Sequence, residues 1–557
     1  MARLYIGKLR SMHSLTILIL IAWLIAFTLH ERYLTRSTIR KCSWPPLKES
    51  KVVNPNRVVS PKLDLRNEIT NKDEGSTTSD DERNKQSNED GEVAFSNMKI
   101  LFIADPQLID NHTYPGRNQL LLKLSQHTVD VYLKKNYYYL INELQPDYIF
   151  WLGDYLDNGR SSTDEYFYTQ LSRFNKIFYN RFKKTYKRNV NFFVNLAGNH
   201  DIGFGDEVKL DSRERFEKEF GAINHYRVLD GLGFITFDTL SFSSTHSNIN
   251  RESRDFLDNY FNGGAVKDVP RILLSHVPLY RDPNINCGPI RENPKFNVHG
   301  GGYQYKNTID EALTEEILTK IQPDLIFAGD DHDYCDIIHS NGASREITVK
   351  SISMAMGIKI PAVQLLSVSI SQKGHESTLT YGTDVCHLQT PYENIFSYVI
   401  LAIVSGLLVL FSNLKQAGTA RFQYSAVLPL ANSNSTKLRN FLREQEEGEN
   451  EEEDEEEEED MSSTSFENNL TSHNRKTGSF SLPSTASKLL HIPNYTFTSS
   501  VNNSSFLTKV GGGWISNKLS EFTKFFRKWN LGNFFKQSII LAILVISVYY
   551  FLFCLTL

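Results

Sequence analysis

The sequence predicts a layered α/β domain held between membrane-spanning helices, on three observations. Five short apolar runs between residues 98 and 328 each have the length of a buried strand, and each leads into a loop carrying Asp, Asn or His. Three other apolar stretches, at 14–29, 395–411 and 538–557, carry no charge and approach or reach the length needed to span a bilayer. The remaining segments are polar, which explains an apolar share of only 40% in a 557-residue chain.

Taken in order, residues 13–30 form the first span. His30-Glu31-Arg32 follows it without a small-residue cleavage site, so it reads as an uncleaved anchor. Residues 31–97 read as a polar linker, rich in Ser, Asn and Asp from 48 onward. Residues 98–385 are the folded domain, and 394–412 the second span. Residues 413–536 form a loop whose run at 444–460 holds 14 acidic side chains, a self-repelling disordered segment. Without that run the formal net charge of −5 becomes +9, so overall charge says nothing about nucleic acid. Residues 516–536 interleave Phe522, Phe525, Phe526 and Trp529 with basic side chains and join directly to the last span, 537–557. That pattern suits a helix on a membrane surface, and no nucleic-acid partner is expected.

Basic residues set the orientation. No Lys or Arg lies between 374 and 394, whereas Lys415 and Arg421 follow the second span and Lys518, Lys524, Arg527, Lys528 and Lys536 precede the third. The N-terminus and the 413–536 loop are therefore expected in the cytosol, and the folded domain in a lumen. Asn111, in Asn-His-Thr, is then the expected glycosylation site. Asn434, Asn469, Asn494, Asn502 and Asn503 also lie in sequons, but on the cytosolic side. Five cysteines exclude a small disulfide scaffold. Cys42, Cys287, Cys335 and Cys386 fall in the oxidising lumen and permit three pairings, of which Cys287–Cys335 would brace the edge carrying His276 and His332.

The loops after the five runs carry Asp105-Pro-Gln107, Gly153-Asp154, Gly198-Asn199-His200-Asp201, Ser275-His276 and Gly329-Asp330-Asp331-His332. One such residue after a strand is ordinarily a turn cap. Five in succession, gathered by a layered sheet on one edge, point to a metal site. Asp105, Asp154, Asn199, His276 and His332 offer carboxylate, amide oxygen and imidazole but no thiolate, a set suited to divalent ions in hydrolysis. Two such ions clamp a phosphoryl group and acidify water.

This series resembles the calcineurin-like metallophosphoesterase superfamily. The local motifs Ala104-Asp-Pro-Gln107, Tyr114-Pro-Gly-Arg117, Gly301-Gly-Tyr-Gln-Tyr305 and Asp330-Asp-His-Asp-Tyr-Cys335 resemble a narrower group, the membrane-bound phosphodiesterases of the endoplasmic reticulum that remodel GPI anchors. The resemblance implies a four-layer α-β-β-α sandwich and two divalent ions. One ion would take Asp105, Asp154 and His332, with Gln107 near the place where the superfamily usually has His. The other would share Asp154 and take Asn199 and His276, with Asp330 in place of another usual His. Both departures exchange imidazole for oxygen and favour Mn²⁺. His200 would be the general acid, with Asp201 orienting its ring. Arg117 would pair with a phosphate or glycan oxygen, and Tyr303 and Tyr305 would stack on a sugar. The implied substrate is a GPI-anchored glycolipid or protein whose mannose carries ethanolamine phosphate, met at the endoplasmic reticulum membrane.

Two other readings compete. Gly153-Asp154-Tyr-Leu-Asp157 is similar to protein Ser/Thr phosphatases, but Ala197 stands where those enzymes have Arg. A non-catalytic membrane protein of manganese homeostasis would use the same ligands. Replacement of His200 separates the two classes.

Overall fold

The computed structural model describes residues 2–53, 85–87, 92–95, 97–262, 269–293, 306–340, 342–373, 376–425 and 530–554. Tyr303, Tyr305, the acidic run, the aromatic-basic segment up to 529 and the sequons from 434 to 503 lie outside these residues.

Fourteen strands are present among the described residues, in chain order. They begin with β1 (Glu49–Val52), β2 (Lys85–Ser87), β3 (Glu92–Phe95), β4 (Met98–Ile103), β5 (Tyr148–Trp151) and β6 (Phe192–Phe193). Next come β7 (His225–Leu229), β8 (Leu232–Thr236), β9 (Arg271–Ser275) and β10 (Leu325–Ala328). The series ends with β11 (Cys335–Ile338), β12 (Arg345–Thr348), β13 (Ala362–Lys373) and β14 (Glu376–His387). One sheet runs β1-β14-β13-β4-β5-β6, with β3 also on β13 and β2 on β3; the other runs β11-β12-β10-β9-β8-β7. Both are mixed. Parallel ladders join β4, β5 and β6 in the first and β8, β9, β10 and β12 in the second, and the remaining pairings are antiparallel. All five runs that the sequence singled out are thus strands of parallel ladders.

Alternation along those strands builds the layers. Ile100, Phe102, Phe150 and Phe193 of the first sheet meet Phe234, Ile272, Leu274 and Phe327 of the second in one buried cluster. The Phe102 and Phe327 rings stack at 4.0 Å, and those of Phe150 and Phe234 at 4.5 Å. The opposite faces, such as Leu101, Ile103 and Trp151 on one sheet and Ile235, Leu273 and Ile326 on the other, join a cluster that takes in helix residues. Leu133, Tyr137 and Leu140 of the helix Gln119–Leu144, and Ile317 and Ile321 of Glu311–Ile321, belong to it. The result is the expected α-β-β-α sandwich.

Among the described residues, three helices are long and apolar enough to cross a membrane: Ser14–Ile39, Pro391–Asn413 and Leu531–Leu552. The first corrects the linker expected at 31–97. Its helix Ala2–Phe27 continues through a π-helical segment, Thr28–Leu34, into Thr35–Ile39. Cys42 is then bonded to Cys386, and β1 pairs with β14. Within the expected linker the Glu31 carboxylate meets Lys135 Nζ at 2.6 Å, with both side chains at most 5% exposed. Truncating Glu31 to Ala strands a buried ammonium and is expected to lower stability by about 3–5 kcal/mol, read from thermal unfolding of the detergent-solubilised chain. An unchanged unfolding temperature would show that the pair is dispensable.

Contacts divide the chain into 1–407 with 538–557, and 408–537. In the second unit the Asn413 amide donates to Gln537 and accepts from Asn533, both at 2.9 Å.

Candidate metal centre

The site lies where the parallel strands end. β4 leads to Asp105, β5 to Asp154, β9 to His276 and β10 to Asp330 and His332; Asn199 opens the short helix Asn199–Ile202 after β6. The turns are tight. Asp105, Gln107, Asp154, Asp330 and His332 are five of the nine described non-glycine residues with positive φ, at 32–63°. Such backbone costs roughly 1–3 kcal/mol at a residue and persists where the surroundings over-determine it. Glycine supplies the remaining clearance. A Cβ on Gly198 would lie 2.0 Å from Asp154 Oδ1, and one on Gly153, at φ +95°, would lie 2.4 Å from His276 Nδ1.

Asp105, Asp154 and His276 bring ligand atoms within 4.8 Å of one another, all buried. His276 Nδ1–H donates to the Leu152 carbonyl at 2.6 Å, which leaves Nε2 with its lone pair. Around that nitrogen stand Asn199 Oδ1 at 3.2 Å, Asp154 Oδ1 at 3.4 Å and Asp330 Oδ1 at 3.6 Å. Four lone-pair donors facing one another repel unless a cation lies among them.

Four further oxygens, Asp105 Oδ2, Asp154 Oδ2, Asp330 Oδ2 and Gln107 Oε1, are buried without a hydrogen-bond partner. Leaving one such atom unsatisfied costs about 1–3 kcal/mol. Burial and mutual repulsion with Asp154 push the carboxyls of Asp105 and Asp330 well above the usual range. Burial opposes ionisation of Asp154 too, but the nearby His276 and His200 hold it below its ordinary value. Burial pushes His276 down and His332 down to about 4, so both imidazoles are neutral and ready to coordinate. Converging hard oxygens with neutral imidazoles fit divalent cations.

Residues 98–334 match the profile of the family described as calcineurin-like phosphoesterases. These residues form a calcineurin-like phosphoesterase domain. The chain is also 40% identical over 326 residues to Cell division control protein 1 of Saccharomyces cerevisiae, covering 56% of this chain and 65% of that one. It is 27% identical over 286 residues to Metallophosphoesterase 1 of Xenopus laevis, covering 46% and 66%. The chain thus spans just under two thirds of each relative's length. Among solved structures, a dimetal phosphatase from Danio rerio aligns with 52% of this chain and 99% of its own at 14% identity, with a TM-score of 0.28, too loose a match to argue from. The match of residues 98–334 to this family implies divalent metal ions in the domain.

The phosphoesterase domain departs from the sequence reading at one residue. Asp201 does not orient the His200 ring. Its carboxylate instead accepts N–H bonds from Gly198 (2.9 Å), Tyr155 and Leu156 (3.2 Å each), locking the Asn199 and Asp154 turns together. Burial and repulsion by Asp154 still push it up to about 8. The His200 ring is held by Asp157, a residue not singled out for this role, whose carbonyl accepts from Nδ1 at 2.6 Å. Gln107 completes the arrangement: its NH₂ donates to Asp157 Oδ1 at 2.9 Å and lies 3.0 Å from His200 Nε2. Arg117 stacks on the Tyr114 ring at 3.7 Å and donates to Ser125. Asn111 is exposed, as a glycan acceptor must be. Cys287 and Cys335 form the bridge expected between the loops beyond β9 and β10.

Proposed function

We propose that this domain is a phosphodiesterase that removes ethanolamine phosphate from a mannose of GPI anchors at the luminal face of the endoplasmic reticulum membrane. The observation that carries the hydrolytic reading is the convergence of unsatisfied oxygens from Asp105, Asp154 and Asp330 with the bare Nε2 of His276. The motifs shared with GPI-remodelling phosphodiesterases and the likeness to Cell division control protein 1 support the substrate.

Asp105, Asp154 and His332 would hold one divalent ion, and Asp154, Asn199 and His276 the other, with Gln107 Oε1 and Asp330 adding oxygen donors. The preponderance of oxygen favours Mn²⁺. When bound, such ions neutralise phosphoryl charge and lower the pKa of water. The chain does the rest. His200 sits at the rim, 26% exposed, with Nδ1 engaged by Asp157, so Nε2 is the atom that can hand a proton to a departing alkoxide. Gln107 and Asp157 fix that ring, and the three backbone bonds to Asp201 keep Asn199 in register with Asp154. The spans confine the enzyme to the plane of its lipid-anchored substrate, which raises the effective concentration.

The full-length protein, purified in detergent, should release ethanolamine phosphate from a GPI glycan with Mn²⁺ and lose that activity with chelator. Cleavage of bis(p-nitrophenyl) phosphate without any release from the glycan would retain the phosphodiesterase and remove the substrate assignment. Topology has its own test: glycosidase treatment should shift the mass by one glycan, at Asn111. Glycans found on 434–503 would invert the orientation.

A further inference from the structure

A cavity of about 600 Å³ lies between the membrane helices and the phosphoesterase domain, far larger than a packing defect and within the range of ligand pockets. One wall comes from the spans, including Ile395, Val399 and Ile546. These side chains are about half or more exposed, so the wall is continuous with surfaces that face hydrocarbon. The other wall is the domain helix Gln119–Leu144, through Leu124, Thr128 and Tyr132, together with Met354. Met354 lies three residues beyond Ser351, whose hydroxyl donates to the Asp105 carbonyl at 2.7 Å, so this wall is tied to the metal edge.

Two features identify the occupant. The first turns of the domain helix expose Leu120 (76%), Leu121 (56%) and Leu124 (59%). Three neighbouring leucines in water are unfavourable, but against a bilayer they gain roughly 25 cal/mol for each Å² they bury. The cavity is apolar along these walls, and its polar groups include the Glu31–Lys135 pair and the Tyr398 hydroxyl that donates to Glu31 at 2.6 Å. Apolar length with one polar end matches an amphiphile drawn from the membrane.

We propose that this cavity seats one acyl chain of a bilayer lipid, with Leu120, Leu121 and Leu124 dipping into the leaflet beside it. The inference goes beyond the proposed reaction and stands whether or not the substrate is a GPI anchor.

The test uses the full-length chain in phosphatidylcholine nanodiscs containing a phosphatidylcholine with a diazirine on its acyl chain. After photolysis, adducts are expected on Tyr132 or Met354, which lipid packed around the spans does not reach. Thr128→Trp, which fills the cavity from the helix, should lose most of that label, and Ala402→Trp should do the same from the opposite wall. Leu18→Trp, on an exposed face of the first span outside the cavity, should keep it. Label confined to outward faces of the spans overturns the proposal. So does label at Tyr132 or Met354 that survives both cavity-filling variants, or a second copy of the chain cross-linked at this surface.

Discussion

An Asp154→Asn protein is expected to lose stoichiometric metal and about a thousandfold in turnover while keeping its fold. The side chain is 1% exposed, and its shape is retained by asparagine. The His200 N–H that Asp154 Oδ1 accepts at 2.9 Å can still be accepted by the amide oxygen. What changes is the other position. Oδ2 has no partner in the protein, and an amide there would present N–H donors toward the place where we assign the shared ion. Losing one anionic ligand removes several kcal/mol of charge stabilisation, of which about 4 kcal/mol corresponds to a thousandfold. The metal-free protein should respond the other way. Asp154 is a source of the repulsion that raises Asp105, Asp201 and Asp330, so neutralising it relieves strain and should raise the unfolding temperature in chelator. Elemental analysis, turnover and unfolding with and without metal give three readouts. Wild-type metal content in the Asp154→Asn protein would remove Asp154 from the ligand set.

Much of this centre was legible because strand ends announce themselves. β4 spans the same Met98–Ile103 as the apolar run, broken only at the exposed Lys99, since a strand buried on both faces leaves a near-continuous apolar signature. The run at 191–196 yields only Phe192–Phe193 as strand, although Val194 and Leu196 are buried: burial, not pairing, is what apolar residues report. Donor types after each run were equally readable, because hard-cation ligands are few. Antiparallel β13 and β14, which complete the first sheet, mix hydroxyls with apolar residues and gave no comparable signal.

What could not be read is tertiary pairing. Asp201 follows His200 in sequence, so adjacency suggested a ring partner; the fold turns its carboxylate onto backbone N–H groups of a loop that begins 46 residues earlier. Asp157 holds the ring through a main-chain carbonyl, which no side-chain pattern encodes. Glu31 fell in the expected polar linker because its partner Lys135 is 104 residues away, and the Cys42–Cys386 bridge closes over 344 residues. Each of these depends on distances along the chain that local composition does not carry.

Removing the imidazole by His200→Ala should lower turnover by roughly 10²–10⁴-fold, the range for a lost general acid, while metal content stays at the wild-type level. The separation follows from where the ring stands. Its Nδ1 is engaged by the Asp157 carbonyl, whereas the group that touches Asp154 is the His200 backbone N–H, which alanine retains. Gln107 also keeps its bond to Asp157 Oδ1, so its Oε1 remains aimed as before. The deficit should shrink for substrates with acidic leaving groups, which depart without a proton, and grow for alkyl esters. Comparing a p-nitrophenyl diester with an ethanolamine phosphodiester in the His200→Ala protein measures that difference directly. A uniform loss on both substrates would make His200 a structural support for the Gln107 turn. Metal binding without turnover in both the wild-type and the His200→Ala proteins would favour the sensor over the hydrolase.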